Sequence, residues 1–383
     1  MGMRVVTRLR AVCALVLAAV IWLPAASASR QGASATALTE SITVMTRNLF
    51  LGTNLSPVID AAERARPGKP STVTELALAM HAARVQVDQT DFAARAGLFA
   101  DEIAEHRPDL VGLQEVALWR SGPLEPRAVG VRNAEQVDYD FQQMLLDALE
   151  ERGLDYELVV ESVEADLESP STGPDGERPR DVRVTLRDVI LMRTGEDLAV
   201  LRRGTGHFRA QRHLAVGGAG LDFTRGYGWV DVLRGAQEVR FINTHLEVGD
   251  SRIGHAQALE LVNGPGSASV PVVIVCDCNS DPTRPLRSLP YRALTAAGFV
   301  DQWRTLRHGG PGHTCCVPNT LRHSDPAALD HRVDFVFARA TRLVRAQSGS
   351  VLGRPFGHDP NQGDSLRPSD HAGIVMRLRS VHR

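Results

Sequence analysis

Residues 273–282 read Val-Ile-Val-Cys-Asp-Cys-Asn-Ser-Asp-Pro. The apolar, β-branched start is the pattern of a buried strand, and it runs into Asp277 and Asn279. Side chains two apart on a strand share a face. The strand is therefore expected to bring a carboxylate and an amide together at one sheet edge. Ser280-Asp281-Pro282 ends it there. A carboxylate beside a neutral amide suits the activation of water next to a metal-screened phosphate. The same residue types at strand ends also make ordinary turns, so the reading depends on the other strand ends.

Those ends repeat the theme. Asn48 closes an alternating segment, and Glu115 follows Asp-Leu-Val-Gly-Leu-Gln. His245 follows Phe-Ile-Asn-Thr. Asp334 opens Asp-Phe-Val-Phe, and Asp370-His371 precedes an apolar run. Converging on one rim, they would combine carboxylates for a hard divalent cation, two imidazoles for proton and charge work, and two amides. Carboxylates without a Cys/His cage suit Mg2+ or Mn2+ better than zinc.

The elements that must hold these residues are strands with helices between them. Strands are expected at 42–47, 110–113, 156–163, 182–192, 197–202, 228–233, 239–244, 272–275, 333–337 and 373–378. Helices are expected at 92–106, 134–152, 253–261 and, for the most part, 285–297. Residues 52–90 read as a mixed segment with possible helical pieces around a Pro/Gly loop. Residues 165–180 are rich in Pro, Gly, Ser and charge and read as an exposed loop. Residues 205–226 read as a Gly-rich segment bearing Arg and His. Many strands, interspersed helices and no Gly-rich dinucleotide fingerprint indicate an α/β (α+β) sandwich. The aromatics Phe208, Phe223, Tyr227 and Trp229 are expected to be buried.

The whole chain has 383 residues, 43% hydrophobic and 23% charged, with a formal charge of −2. That suits one large soluble domain or two smaller ones and argues against gripping nucleic acid by bulk charge. Arg4, Arg8 and Arg10 precede an apolar run at 11–23 and a small-x-small site at Ala26-Ser27-Ala28. This is the pattern of a cleaved secretory leader. Its loss would make the remainder more acidic by three charges. A signal peptide is therefore expected at 1–28, a flexible arm at 29–40 and the folded domain at 41–383. No other segment reads as a membrane span. The four remaining cysteines, Cys276, Cys278, Cys315 and Cys316, favour at least one disulfide in an exported protein. It is expected to involve Cys276 or Cys278. A bridge from that pair to Cys315 or Cys316 would tie the strand to the later loop, but the sequence leaves the connectivity open, and a zinc site or free thiols are the alternatives.

Taken in order, Asn48, Leu113-Gln114-Glu115, Asn243-Thr244-His245-Leu246, Asp277-Cys278-Asn279-Ser280, Arg332-Val333-Asp334 and Ser369-Asp370-His371 resemble the endonuclease/exonuclease/phosphatase superfamily. The likeness covers residue 42 to the C-terminus. It implies a four-layer sandwich of two mixed β-sheets packed face to face with helices outside, the deoxyribonuclease-I-like fold. It also implies Mg2+- or Mn2+-dependent hydrolysis of a phosphate ester. By the same resemblance, Glu115 would ligate the metal with Asn48 and Asp370 in support. Asp277 would orient or deprotonate the attacking water, and Asn279 would hold water or a phosphoryl oxygen. His371, fixed by Asp334, would bond the phosphoryl oxygen. His245, oriented by Asp188, would assist the leaving group.

The family's usual Gly-Asp-Phe/Leu-Asn reads Cys276-Asp277-Cys278-Asn279 here, which keeps the Asp and Asn. The expected protein is a secreted monomer acting on a phosphoester: nucleic acid, phospholipid or inositol phosphate. A phosphodiesterase of nuclease or sphingomyelinase type comes first. A phosphomonoesterase on inositol phosphates or nucleotides would need extra basic residues, for which Arg202, Arg203, Arg209 and Arg212 are candidates. The remaining alternative is a non-catalytic binding module.

Overall fold

The computed structural model describes residues 41–380, apart from 67, 126–130, 196–197, 217–218, 307–309, 323–328, 340–343 and 354–365. The expected leader and arm lie outside the described residues, as does the side chain of Phe223.

In chain order the first elements are β1 (Ser41–Asn48), α1 (Ser56–Arg64), α2 (Pro70–Gln89), α3 (Phe92–His106), β2 (Leu110–Gln114), β3 (Leu118–Pro123), β4 (Gln136–Asp140), α4 (Phe141–Glu150), β5 (Tyr156–Ser171) and β6 (Arg180–Arg193). There follow β7 (Leu198–His207), β8 (Arg212–Val216), β9 (Ala219–Phe223), β10 (Gly226–Arg234), β11 (Gln237–His245), α5 (Ser251–Asn263), β12 (Val272–Asp277), α6 (Leu289–Ala296), β13 (Phe299–Asp301), β14 (Asp334–Arg339), β15 (Val344–Val351) and β16 (Ile374–Ser380).

One eight-stranded sheet contains β1 to β6 with β15 and β16. A six-stranded sheet runs β13-β14-β12-β11-β10-β7, and β8 and β9 form a separate hairpin. Both large sheets are mixed: β1 pairs parallel with β2, and β11 parallel with β12, while their other neighbours are antiparallel.

Alternation along the strands makes four layers. Val44, Leu110 and Ile190 of the first sheet meet Phe241, Val273, Val275 and Val336 of the second in a core between the sheets. The opposite face of the first sheet (Met45, Val111, Leu191) packs under the first four helices. The opposite face of the second (Ile242, Ile274, Phe335, Phe337) packs under α5 and α6. Burying each Val, Ile or Phe in this way contributes about 1.5–3 kcal/mol. The two-sheet, four-layer α/β sandwich expected from the sequence is the one observed.

Strands β3, β13 and β15 and the β8–β9 hairpin inside 205–226 were not expected from the sequence, and two segments that do carry an expectation differ from it. Residues 134–152 are not one helix: Gln136–Asp140 is a strand paired with β3, and the helix starts only at Phe141. Asp140 marks the switch, since its carboxylate accepts the Gln142 and Gln143 amides as an N-cap. Nor is 165–180 one loop. β5 continues through Ser171, paired with β6 along its full length. Its charges are used within the sheet, as when Asp166 accepts from Arg183 at 2.9 and 2.6 Å. Among the described residues, no helix is long and apolar enough to cross a membrane.

Candidate active site

The faces that fill the core between the sheets carry polar residues at one edge. Two residues beyond Val275 comes Asp277, two before Val336 comes Asp334, and two before Ile190 comes Asp188. Four beyond Phe241 comes His245, and four beyond Val44 comes Asn48. Strand register lines them up, with His245 opposite Asp277, Asp277 opposite Asp334, and Asn48 opposite Gln114. The sheets are stitched together just beneath. Gln114 Nε2 donates to Asn243 Oδ1 across the gap (2.6 Å), and Asn243 Nδ2 donates to the carbonyls of Leu113 (2.9 Å) and Val189 (3.0 Å). Gly112 permits this closeness: a Cβ there would run into the Val275 side chain and lie 2.8 Å from Asn243 Oδ1.

Asp277 stands at the centre. Its Oδ2 accepts from Asn48 Nδ2 at 3.0 Å and lies 3.4 Å from His245 Nε2 and 3.8 Å from His371 Nδ1. Its Oδ1 accepts the Asn279 amide at 3.0 Å. Burial pushes its carboxyl up to about 7, with the His371 charge opposing and Asp334 adding to the rise. The two imidazoles are driven apart. Burial, then the Arg225 and His371 charges, hold His245 well below its ordinary value, hence neutral. For His371, burial also disfavours charge, but Asp334 and Asp277 outweigh it and keep the ring cationic. Its Nδ1 lies 3.0 Å from Asp334 Oδ2. The Asp334 backbone is held in turn by Thr314 Oγ1, which accepts the Val333 and Asp334 amides at 3.1 and 3.2 Å.

Asn279 reaches the site by a different route from the one expected. The strand ends at Asp277, and Asn279 takes a left-handed φ of 46°. From that turn its Nδ2 lies 3.0 Å from His245 Nε2 and donates to Leu246 O at 3.0 Å. The neutral His245 ring thus has Nε2 as an acceptor, an assignment that follows from the hydrogen-bond network.

Glu115 also has a left-handed φ, 57°. This turns its carboxylate back over the end of β1, where Asn48 Nδ2 donates to Oε1 (3.2 Å) and the Leu51 amide to Oε2 (2.9 Å). Asp370 is close enough for the two acids to affect each other. Burial raises its carboxyl to about 6, with the His371 cation opposing and the Glu115 charge adding to the rise. Glu115 and Asp370, two carboxylates that feel each other's charge, offer hard oxygen donors that fit Mg2+ or Mn2+. Asn48 is not an oxygen donor here, because its Nδ2 faces Glu115 and Asp277 while its Oδ1 accepts the Phe50 amide at 2.8 Å. Asp277, Asp334 and His371 also bring three ligand atoms within 4.8 Å of one another, but a cationic imidazole repels a metal.

Asp188 does not orient His245. Its Oδ1 accepts the Glu115 amide at 3.3 Å, and His245 is positioned by Asn279 and Asp277 instead. The basic candidates are mostly engaged elsewhere. Arg202 pairs with Asp231 and Glu238, Arg203 donates to Val159 O, and exposed Arg209 pairs with Glu260. Only Arg212 of the four lines the pocket beside His245.

A disulfide does involve Cys276 and Cys278, which pair with each other, and Cys315 pairs with Cys316, so the two pairs are not tied together. Cys276 and Cys278 both point into the core under α5 and α6, with Cα atoms 5.1 Å apart. Cys315 and Cys316 instead lie against the site, each sulfur 3.9 Å from His371 Nε2.

Sequence reasoning passed over two buried arginines that brace the site. Arg47 pairs with Glu102 at 2.9 Å and donates to the His371 carbonyl. Arg95 donates to the carbonyls of Leu49 (2.6 Å), Phe50 (3.2 Å), Thr90 (2.9 Å) and Pro368 (3.0 Å). Burial, with Asp370 opposing, lowers Arg95 to about 9. Glu164, Arg225 and Glu247, which line the pocket beside His245, were missed as well. Arg47 follows the alternation into the helix-facing side, where an arginine is unexpected. Nothing in the sequence names its partner.

No family profile matches the sequence, and no curated protein matches it. Solved structures do. An endonuclease/exonuclease/phosphatase family protein from Bacteroides thetaiotaomicron superposes with a TM-score of 0.50 at 16% identity, covering 90% of this chain and 99% of its own. One from Leptotrichia buccalis C-1013-b gives 0.51 at 14%, covering 88% and 99%. One from Bacteroides vulgatus gives 0.50 at 17%, covering 89% and 100%.

Proposed function

We propose that this chain, which has the endonuclease/exonuclease/phosphatase fold, is a divalent-metal-dependent phosphoesterase that attacks phosphorus with water. The observation that carries the reading is Asp277. A buried carboxylate raised to about 7 sits within 4 Å of one neutral and one cationic imidazole. Neighbouring groups of opposite protonation state are what acid–base chemistry at neutral pH requires.

A divalent cation held by Glu115 and Asp370, with Asn48 steadying the Glu115 carboxylate, would screen the phosphate charge and polarise a phosphoryl oxygen. Asp277 accepts the proton of the attacking water, with Asn48 and the Asn279 amide fixing its two oxygens. His371, charged through Asp334, donates to the phosphoryl oxygen as negative charge builds there. His245 lies on the other side of Asp277; neutral and accepting from Asn279 at Nε2, it has no surplus proton to give, so the leaving oxygen takes its proton from solvent.

A phosphodiesterase is favoured over a phosphomonoesterase. A dianionic phosphate asks for more cationic wall, and three of the four candidate arginines are committed to other partners. Nuclease and sphingomyelinase-like activities both fall within this reading. The leader pattern at 1–28 supports export, checked by sequencing the mature N-terminus; the exported protein is taken to be a monomer, checked by light scattering.

The test is a parallel panel with Mn2+, Mg2+ and EDTA: plasmid DNA, RNA, sphingomyelin, inositol phosphates, and the mono- and bis-p-nitrophenyl phosphates. Metal-dependent cleavage of a diester, absent in Asp277→Asn, is expected. Turnover that persists in EDTA, or in Asp277→Asn, would sink the mechanism. Binding without turnover of any ester would leave the fold as a binding module.

A further inference from the structure

The pocket beside His245 is walled on one side by Glu164, Asp188, Glu247 and Arg225, and the chemistry proposed above uses none of them. Glu164 is placed there by a backbone irregularity. The register of β5 on β6 slips between Val163 and Ala165, and Glu164 is the residue in the slip. Such a bulge re-aims a side chain that regular alternation would send elsewhere.

Its carboxylate is pinned at one end only. Oε1 accepts from Ser162 Oγ at 2.6 Å, while Oε2 is buried with no hydrogen-bond partner. Asp188 repeats the arrangement: Oδ1 accepts the Glu115 amide, and Oδ2 is buried without a partner. The two residues are 2% and 3% exposed. Each unpartnered buried carboxylate oxygen costs at least what a lost hydrogen bond does, so two in one pocket call for a shared occupant.

The charges say which kind. Arg225 Nε lies 4.0 Å from Glu247 Oε2, and the same guanidinium charge also favours ionised Glu164 and Asp188, so one cation is shared among three acids. With Glu164, Asp188, Glu247 and neighbouring Glu115 against Arg225 and Arg212, the pocket keeps an acidic excess. An anion is repelled here. Two buried carboxylates that line one cavity, each with one unpartnered oxygen and close enough for the Glu164 charge to raise Asp188, suit a divalent cation.

We propose that Glu164 and Asp188 hold a second divalent cation, separate from the one assigned to Glu115 and Asp370. Its effect reaches the first site through one bond. Asp188 Oδ1 holds the amide of Glu115 in its left-handed conformation. A cation that keeps Asp188 ionised therefore also fixes Glu115, and each metal tightens the other.

The experiment counts metal rather than activity, so it stands even if no substrate is found. Mn2+ is titrated into the purified full chain, with free Mn2+ read by electron paramagnetic resonance. Two bound equivalents are expected for the wild type. One is expected for Glu164→Gln, one, weakened several-fold, for Glu115→Gln, and none for the double variant. Glu164→Gln is nearly isosteric and keeps an acceptor for Ser162. Should it fail to fold by circular dichroism, Asp188→Asn replaces it with the same expected count. A single equivalent in the wild type, lost in Glu115→Gln, would overturn the proposal. So would two equivalents retained in the folded Glu164→Gln or Asp188→Asn protein.

Discussion

At the scale of residues, the site is a set of strand ends whose protonation states are set by their surroundings. Asp277→Asn keeps the shape and the Asn48 contact but removes the proton acceptor. It is expected to lower kcat by about 10^2 to 10^4, with an unchanged circular dichroism spectrum; activity near wild type would remove Asp277 from the role of base. The wild-type kcat/KM should fall as pH drops through about 7, because the base is active only when ionised and burial holds it protonated below that value. Asp334→Asn takes away the charge that holds His371 cationic, so its rate should fall most steeply on the alkaline side. An alkaline limb left where the wild type has it would show that Asp334 does not govern the ring. These positions were legible because acid, amide and imidazole recur where apolar alternation stops. Glu164 was not, because its placement depends on a register slip inside a charged stretch. Asp188 was noticed, but its partner is the Glu115 backbone, and no spacing rule points to that.

Elements were legible where one periodicity dominates. α3 runs from Phe92 to His106 as read, with Asp91 capping the Ala94 amide and Pro108 two residues past its end. The errors fall where tertiary pairing overrides local pattern, as in β4, which is strand only because β3 offers it an edge. The same scale decides how the two sheets are held in register at the site. Gly112→Val would force a branched side chain against Val275 and Asn243 and push the sheets apart. It should cost about 1–3 kcal/mol or more in urea denaturation and lower activity along with stability. A fully stable, fully active Gly112→Val protein would show that the close approach is dispensable. Arg95 ties the end of β1, the end of α2 and the segment before Asp370 through four carbonyls. Arg95→Met leaves them buried without a donor. A loss of about 3–5 kcal/mol is expected, where an ordinary surface arginine would cost under about 0.5 kcal/mol.

At the scale of the whole molecule, the sandwich gathers acids that resist ionisation. Folding raises Asp277 to about 7 and Asp370 to about 6, and burial raises Glu164 and Asp188 as well. For an acid whose folded value lies above its unfolded one, the unfolded chain gives up its proton first. Each such group therefore leaves stability untouched below about pH 4 and destabilises the metal-free fold as pH rises toward its folded value. His245 acts oppositely: its folded value lies well below 6.5, so stability is lost as pH falls and the unfolded ring takes up a proton. Comparing the protein with and without metal at each pH isolates the acids. A divalent cation favours the ionised carboxylates and binds only the folded chain, so it stabilises by an amount that grows with its affinity, about 2.7 kcal/mol at one hundred times Kd. Below pH 6 it must displace protons from Asp370 and its neighbours, and its affinity drops. The rise in thermal midpoint on exchanging EDTA for Mn2+ should therefore be small at pH 5.5 and several-fold larger at pH 8. Glu115→Gln should lower the rise at pH 8. Equal rises at the two pH values would mean that the gathered acids ionise as freely in the fold as in the unfolded chain, and the cation sites would lose their physical basis.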